Sequence, residues 1–139
     1  MTLFSRASRE TKEAFVRQLR PYCVHACQHF LLELLWNTHE DLTIGEIATR
    51  LAVEDPSITR TVQRMERQGL VKKHPHPTDA RQVVVKLTQK GWDLQAVIPP
   101  LLAAGEERIL ANVSDVERAL FMRVLQQMLL NLEHDTSDP

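Results

Sequence analysis

The chain has 139 residues, 43% of them apolar and 25% charged, with a net charge of −1. That length and balance suit one globular domain with its own core and exclude a disordered polyelectrolyte. No apolar run approaches the ~20 residues that span a bilayer, and Met1 to Arg20 lacks the apolar stretch of a secretory signal, so a cytoplasmic protein without a membrane partner is expected.

Five helical segments and one hairpin are legible. Arg6 to Arg20 places Ala7, Thr11, Ala14, Phe15 and Leu19 near one helical face, and Pro21 is expected to end it. Ala26 to about Asn37 follows, with an apolar stripe of Cys27, Phe30, Leu31, Leu34 and Leu35. Thr43-Ile44-Gly45-Glu46 has the spacing of a capping box, in which the hydroxyl serves the first-turn amides and the carboxylate reaches back. It opens a short helix with Ile44, Ile47, Ala48 and Leu51 inward.

After a tight link, Asp55 is read as N-cap and Pro56 as the first residue of another helix. This helix buries Ile58, Val62 and Met65 and ends at Gly69, suited to a left-handed cap. Its other face shows Ser57, Arg60, Gln63, Arg64 and Arg67. Leu70 to His74 and Gln82 to Leu87 read as two strands, the second with Val83, Val85 and Leu87 alternating against Gln82, Val84 and Lys86. A proline-stiffened loop, Pro75 to Ala80, joins them.

Thr88 caps a long helix running toward Asn112. Pro99-Pro100 lies inside it, and an interior proline costs ~3 kcal/mol, so a kink or two abutting helices are expected. A second capping box, Ser114 to Glu117, opens the last helix, Asp115 to about Glu133. Phe121, Val124, Leu125, Met128, Leu129 and Leu132, widened by Leu120, Met122 and Leu130, form a stripe too broad for one core contact. The second contact is expected to be another subunit. His134 to Pro139 reads as a frayed tail.

Charge is segregated along this layout. Between Pro56 and Lys90 stand eight Lys or Arg against two acids, a local +6 balanced by −7 elsewhere. A basic segment on an acidic body is an electrostatic footprint for nucleic acid. The order helix, turn, polar-faced helix, hairpin is that of a winged helix-turn-helix, whose second helix enters the major groove. Arg bonds guanine bidentately and Gln adenine, so Ser57, Arg60, Gln63 and Arg64 are aimed at base edges. Lys72 and Lys73 are assigned to phosphates. Arg81, held by Asp79, suits a narrow minor groove. No catalytic set, phosphate-cradling glycine loop, cofactor motif or metal site stands out, so no enzyme is expected.

Sensing residues are less distinct. Cys27 on the apolar stripe reads as buried filler, whereas Cys23, in the link after Pro21, reads as accessible. Two cysteines four apart build no disulfide framework. His25, His29 and Glu33 share one helix face at one-turn spacing, a pattern open to metal binding or to plain surface histidines. Trp36 and Trp92 suit packing or the wall of a ligand cleft. Cys23, His25, His29 and Trp36 are therefore the candidate sensor residues.

From Val24 to Leu94 the chain resembles the MarR family of bacterial regulators. The resemblance is carried by Gln28, Leu42-Thr43-Ile44-Gly45-Glu46-Ile47-Ala48, Pro56-Ser57-Ile58-Thr59-Arg60, Gly69-Leu70-Val71, Asp79-Ala80-Arg81 and Leu87-Thr88-Gln89-Lys90-Gly91. It implies a mainly α, winged-helix fold: a winged helix-turn-helix at about 40–90 within one 1–139 domain, flanked by dimerisation helices at about 6–37 and 91–133. It further implies a two-fold homodimer through the first and last helices, repression from a pseudo-palindromic duplex operator, and release by a small phenolic or lipophilic effector, an oxidant or a metal. Residue by residue it supports Ser57, Thr59, Arg60 and Arg64, with Asp79 and Arg81 in the wing. Ala52 departs from the family's frequent Gly and is expected at negative φ. Glu54-Asp55 and Ala80 stand where the family often carries Ser or Lys, and Arg.

Overall fold

The computed structural model describes residues 2–135. Its helices are α1 (Thr2–Leu19), α2 (Ala26–Asn37), α3 (Ile44–Leu51), α4 (Asp55–Arg67), α5 (Gln89–Asp93), α6 (Ile98–Ile109) and α7 (Asp115–Asp135), with short 3-10 turns at Arg20–Tyr22 and Leu94–Ala96. Three strands, β1 (Leu42–Thr43), β2 (Val71–Pro75) and β3 (Val83–Leu87), form an antiparallel sheet in the order β1-β3-β2. Two compact units divide between Gly105 and Glu106.

The first unit contains the helix-turn-helix and the sheet. Its core gathers Leu19 from α1, Leu31, Leu32 and Leu35 from α2, Ile47 from α3, Val62 and Met65 from α4, and Val71 and Val85 from the sheet. Burying such side chains contributes roughly 1.5–3 kcal/mol each. The capping box of α3 forms as the sequence implies: Glu46 N donates to Thr43 Oγ1 at 3.2 Å and Thr43 N to the Glu46 carboxylate at 3.3 Å.

Several expectations are corrected. Helix α1 begins at Thr2, four residues earlier than Arg6, and Pro21 sits within a 3-10 turn, where its fixed φ is tolerated. On α2 the inward residues include Leu32 and Trp36, whereas Phe30 and Cys27 are exposed. The hairpin is joined by β1, whose Leu42 and Thr43 pair with Val85 and Val84; Val84 is therefore buried too, not solvent-facing. Glu54, not Asp55, holds the N-cap position of α4, without a side-chain cap. The long helix after Thr88 is broken into α5, a 3-10 turn and α6, placing Pro99 and Pro100 in the first turn of α6, where a missing N–H costs nothing. His134 and Asp135 continue α7 rather than fraying, and 136–139 lie outside the described residues.

Helices α3 and α4 end in the same motif. Gly69 N and Leu70 N bond Glu66 O and Met65 O, while Ala52 N and Val53 N bond Thr49 O and Ala48 O. This pairing requires a left-handed residue after the last turn. Gly69 takes φ 75 and Ala52 takes φ 53, against the negative value expected from its side chain. An L-residue pays about 1–2 kcal/mol in that region, less about 0.4–1 kcal/mol for the added unfolded-state freedom of glycine. Ala52→Gly should therefore stabilise the fold by about 0.5–1 kcal/mol, measured by urea denaturation at unchanged slope. A loss of stability would show that the methyl group contributes packing that outweighs the strain.

Two glycines allow close approaches. A Cβ on Gly91 would collide with the Leu70 carbonyl, and one on Gly105 with the Gln18 side chain. The Gly91 carbonyl accepts the Trp36 indole N–H at 3.0 Å, tying α5 to α2.

The second unit contains the end of α6 and α7. Asn112 turns the chain at φ 64, a region Asn tolerates. Ser114 and Glu117 form the second capping box, with bonds of 2.8 and 3.2 Å; the amide and hydroxyl of Ser114 hold the Glu117 carboxyl below the usual carboxylate range. Arg118 bonds both Glu107 carboxylate oxygens and the carbonyls of Leu110 and Val113 at 2.9–3.1 Å. No residue of α7 is buried.

Candidate nucleic-acid interface

Helix α4 has two unlike faces. Ile58, Val62 and Met65 are buried, while Arg60, Gln63, Arg64 and Arg67 are exposed. Arg60 donates to Ser57 Oγ at 3.3 Å, and among the described residues no carboxylate lies within ion-pair distance of Arg60, Arg64 or Arg67. At ~1.5 Å per residue the helix is about 20 Å long, so its donors are spread along one edge. Thr59 is half-buried, and its hydroxyl donates back to the Asp55 carbonyl at 3.0 Å. It is thus engaged within the helix.

The helix is anchored at its C-terminal end by two contacts the sequence did not reveal. Lys90 Nζ donates to the Gln68 carbonyl, and Gln68 Nε2 donates to the Cys23 carbonyl, both at 2.9 Å. Lys73 pairs with Glu66 at 3.5 Å across the start of the wing. Lys72, on the other side of β2, is exposed and forms no ion pair among the described residues.

The wing loop is built around His76. Its Nδ1 accepts the backbone N–H groups of Thr78 and Asp79 at 3.2 and 3.0 Å. Asp79 then accepts both the backbone N–H and the Nε of Arg81 at 3.0 and 3.2 Å, an Asx-turn that aims the arginine. With its side chain 92% exposed, Arg81 keeps its terminal amino groups free for an external acceptor. The predicted trio of the wing therefore assembles, with His76 as an unforeseen organiser.

The candidate sensor residues separate. Trp36 packs in the core. His29 is buried in an edge contact with Phe15 at 5.3 Å and near Trp36 at 6.5 Å, and bonds Glu33 at 3.3 Å. Burial holds its imidazole below the ordinary range, against the pull of the Glu33 carboxylate. His25 is exposed at the start of α2, where its backbone N–H donates to Gln28 Oε1 at 3.3 Å. Among the described residues no three His, Cys, Asp or Glu side chains come together as a metal site. Cys23 is exposed in a left-handed turn, φ 56. Cys27 is exposed as well, with Sγ 4.0 Å from Thr61 Oγ1 on α4. The reading of Cys27 as buried filler fails, because the packing of α4 beside it leaves the residue exposed. None of the described helices is long and apolar enough to cross a membrane.

Known proteins share this arrangement. The MarR family profile matches residues 26–83, from the start of α2 into β3. The uncharacterized HTH-type transcriptional regulator YwoH of Bacillus subtilis is 30% identical over 112 residues, 81% of this chain and 80% of that protein. A second B. subtilis protein, the uncharacterized HTH-type transcriptional regulator YkoM, is 25% identical over 132 residues, 95% of this chain and 85% of its own. The crystal structure of the S. aureus MepR–DNA complex superposes with a TM-score of 0.84 at 23% identity, covering 94% of this chain and 96% of that one. With the helix-turn-helix, the three-stranded wing and the terminal helices all matched in order, the chain belongs to the MarR family of HTH-type transcriptional regulators.

Proposed function

We propose that the protein is a cytoplasmic homodimeric repressor that binds a pseudo-palindromic duplex operator and is released by a small ligand or another signal. Residues at about 40–90 serve as the DNA-reading part, and helices at about 6–37 and 91–133 as the dimerisation parts of one domain. In this reading α4 enters the major groove with Ser57, Thr59, Arg60, Gln63, Arg64 and Arg67, and Arg81, oriented by Asp79, enters the flanking minor groove. The observation that carries it is the exposed, unpaired cationic edge of α4 opposite a buried apolar face. The MepR structure, solved with DNA, supports the same use of the shared fold.

The test is a titration of the purified protein against a duplex selected by it from random sequence and against a scrambled duplex, at several salt concentrations. The selected duplex should bind about 10³-fold or more tighter at physiological salt. Equal binding of both would reduce the activity to charge attraction. Lys72→Ala should flatten the slope of log K against log salt by up to about one unit per lost phosphate contact. Lys73→Ala should change it less, because Lys73 already faces Glu66 at 3.5 Å.

A further inference from the structure

One ring nitrogen gathers the bonds at the tip of the wing. Pro75 and Pro77 flank His76 and carry no N–H, so neither can donate a bond that fixes the loop. Amides further along converge instead: Thr78 N and Asp79 N both donate to His76 Nδ1, at 3.2 and 3.0 Å, and the Thr78 hydroxyl lies 3.4 Å from the same atom. His76 N donates to Gln82 O at 3.2 Å and Gln82 N to Asp79 O at 3.0 Å, which closes the loop just before β3. Asp79 in turn holds the backbone N–H and the Nε of Arg81. His76 and Asp79 are half-buried, whereas Pro77, Thr78, Ala80 and Arg81 around them are exposed. The bonds thus run in series, from the ring to Asp79 and from Asp79 to Arg81.

We propose that His76 is a positioning residue for Arg81, and that it acts only as a neutral ring protonated on Nε2. The assignment rests on Arg81 entering DNA, as in the reading above. A ring nitrogen that accepts two N–H groups carries no proton, and in neutral imidazole the proton then sits on the other nitrogen. A proton on Nδ1 turns that acceptor into a donor facing two donors. Asp79 then loses its backbone anchor, and the Arg81 side chain it holds is no longer aimed. Aim matters because an arginine already oriented gives up less freedom when it meets an acceptor in the groove. Titratable and charged groups on the adjoining segments are Asp79 and Arg81, paired with each other at 3.2 Å, and His74, Lys72 and Lys73 of β2, the last facing Glu66 at 3.5 Å. Strand β3 sets Val83 and Val84 opposite Pro75 and His74, and its Lys86 pairs with Asp41 at 3.1 Å. Among the described residues no ion pair reaches His76, so the ring answers to pH through its own proton count.

Affinity for a duplex that the protein selects from random sequence is read by fluorescence anisotropy. The variants are His76→Asn, His76→Gln and His76→Ala, Arg81→Ala, and Arg81→Ala combined with His76→Ala or with His76→Asn. Asn Oδ1 stands as many bonds from the backbone as His Nδ1, and Gln Oε1 stands one bond further. His76→Asn should therefore bind within about twofold of wild type, and His76→Gln and His76→Ala about fivefold or more weaker. Once Arg81 is Ala, His76→Ala should cost less than about twofold more, because nothing is left to position. The affinity ratio of wild type to Arg81→Ala should shrink from about pH 8 to about pH 5, on either side of the ordinary imidazole value of ~6.5. The same ratio taken with His76→Asn in both proteins should stay constant. Such ratios cancel His74 and the other histidines, which titrate in both members. Heteronuclear NMR of the imidazole at about pH 8 should show the Nε2–H tautomer, with the Thr78 and Asp79 amides shifting as the ring gains its second proton. An Nδ1–H tautomer, an Asn variant as weak as the Ala one, an Arg81 ratio unmoved by pH, or losses at His76 and Arg81 that simply add would each overturn the proposal. Wild type that selects no duplex would instead overturn the DNA reading, and the tautomer and the linked amide shifts would still judge the role of His76.

Discussion

Replacing both Leu125 and Leu129 with Asp should turn a dimer into folded monomers or into insoluble chain. Leu125 is half-buried and Leu129 is 61% exposed, and Phe121, Val124, Leu130 and Leu132 on the same helix are between 44% and 59% exposed. A helix that keeps this much apolar surface in water needs a further partner. Positions 121, 125, 128, 129 and 132 recur at helical spacing, so a second copy of α7 can bury them together. Covering a leucine contributes roughly 1.5–3 kcal/mol, and a two-fold interface contains each substituted residue twice. Because Leu125 is already half-buried and Leu129 is 61% exposed, only part of that remains to be gained. The loss is about 3–6 kcal/mol before the repulsion of the introduced carboxylates, at least about two orders of magnitude in dissociation constant. Light scattering gives the mass and circular dichroism the retained helix. A well-folded dimer in the double variant would place the interface elsewhere.

Arg60→Ala and Arg81→Ala should weaken operator binding in different ways. Arg60 is held toward the exposed edge of α4 by its bond to Ser57, and truncation should cost about 1–3 kcal/mol per subunit while relaxing preference at particular base pairs. Two subunits on one operator double that loss. Arg81 is fixed through its backbone and Nε by Asp79, so its truncation should weaken binding with little change in major-groove preference, except where an A-tract narrows the minor groove. The measurement is affinity for the selected operator and for single-base-pair variants, in wild type and both mutants. If the Arg60 variant keeps the wild-type base preference, α4 is not the reading helix.

Features whose causes lie within a few residues were legible in the sequence alone. Thr43 with Glu46, and Ser114 with Glu117, are three apart, so the chain brings each pair together whatever surrounds it. Gly69 ends α4, and the division of α4 into an apolar and a cationic face follows from 3.6-residue periodicity. Asp79 and Arg81 meet because only Ala80 separates them in a turn. Tertiary structure decided the rest. Two residues make a strand at Leu42–Thr43 only because β3 offers them a free edge. Ala52 accepts a left-handed conformation because the bonds closing α3 demand one. Trp36 finds its acceptor 55 residues away at Gly91. A helical wheel gave α2 its apolar stripe, but the elements packed against it decide which residues are covered. Phe15 of α1 meets the buried His29, while Cys27 stays exposed beside Thr61 of α4, because burial depends on the neighbours a residue meets in space, and those are set by the packing of elements distant in sequence.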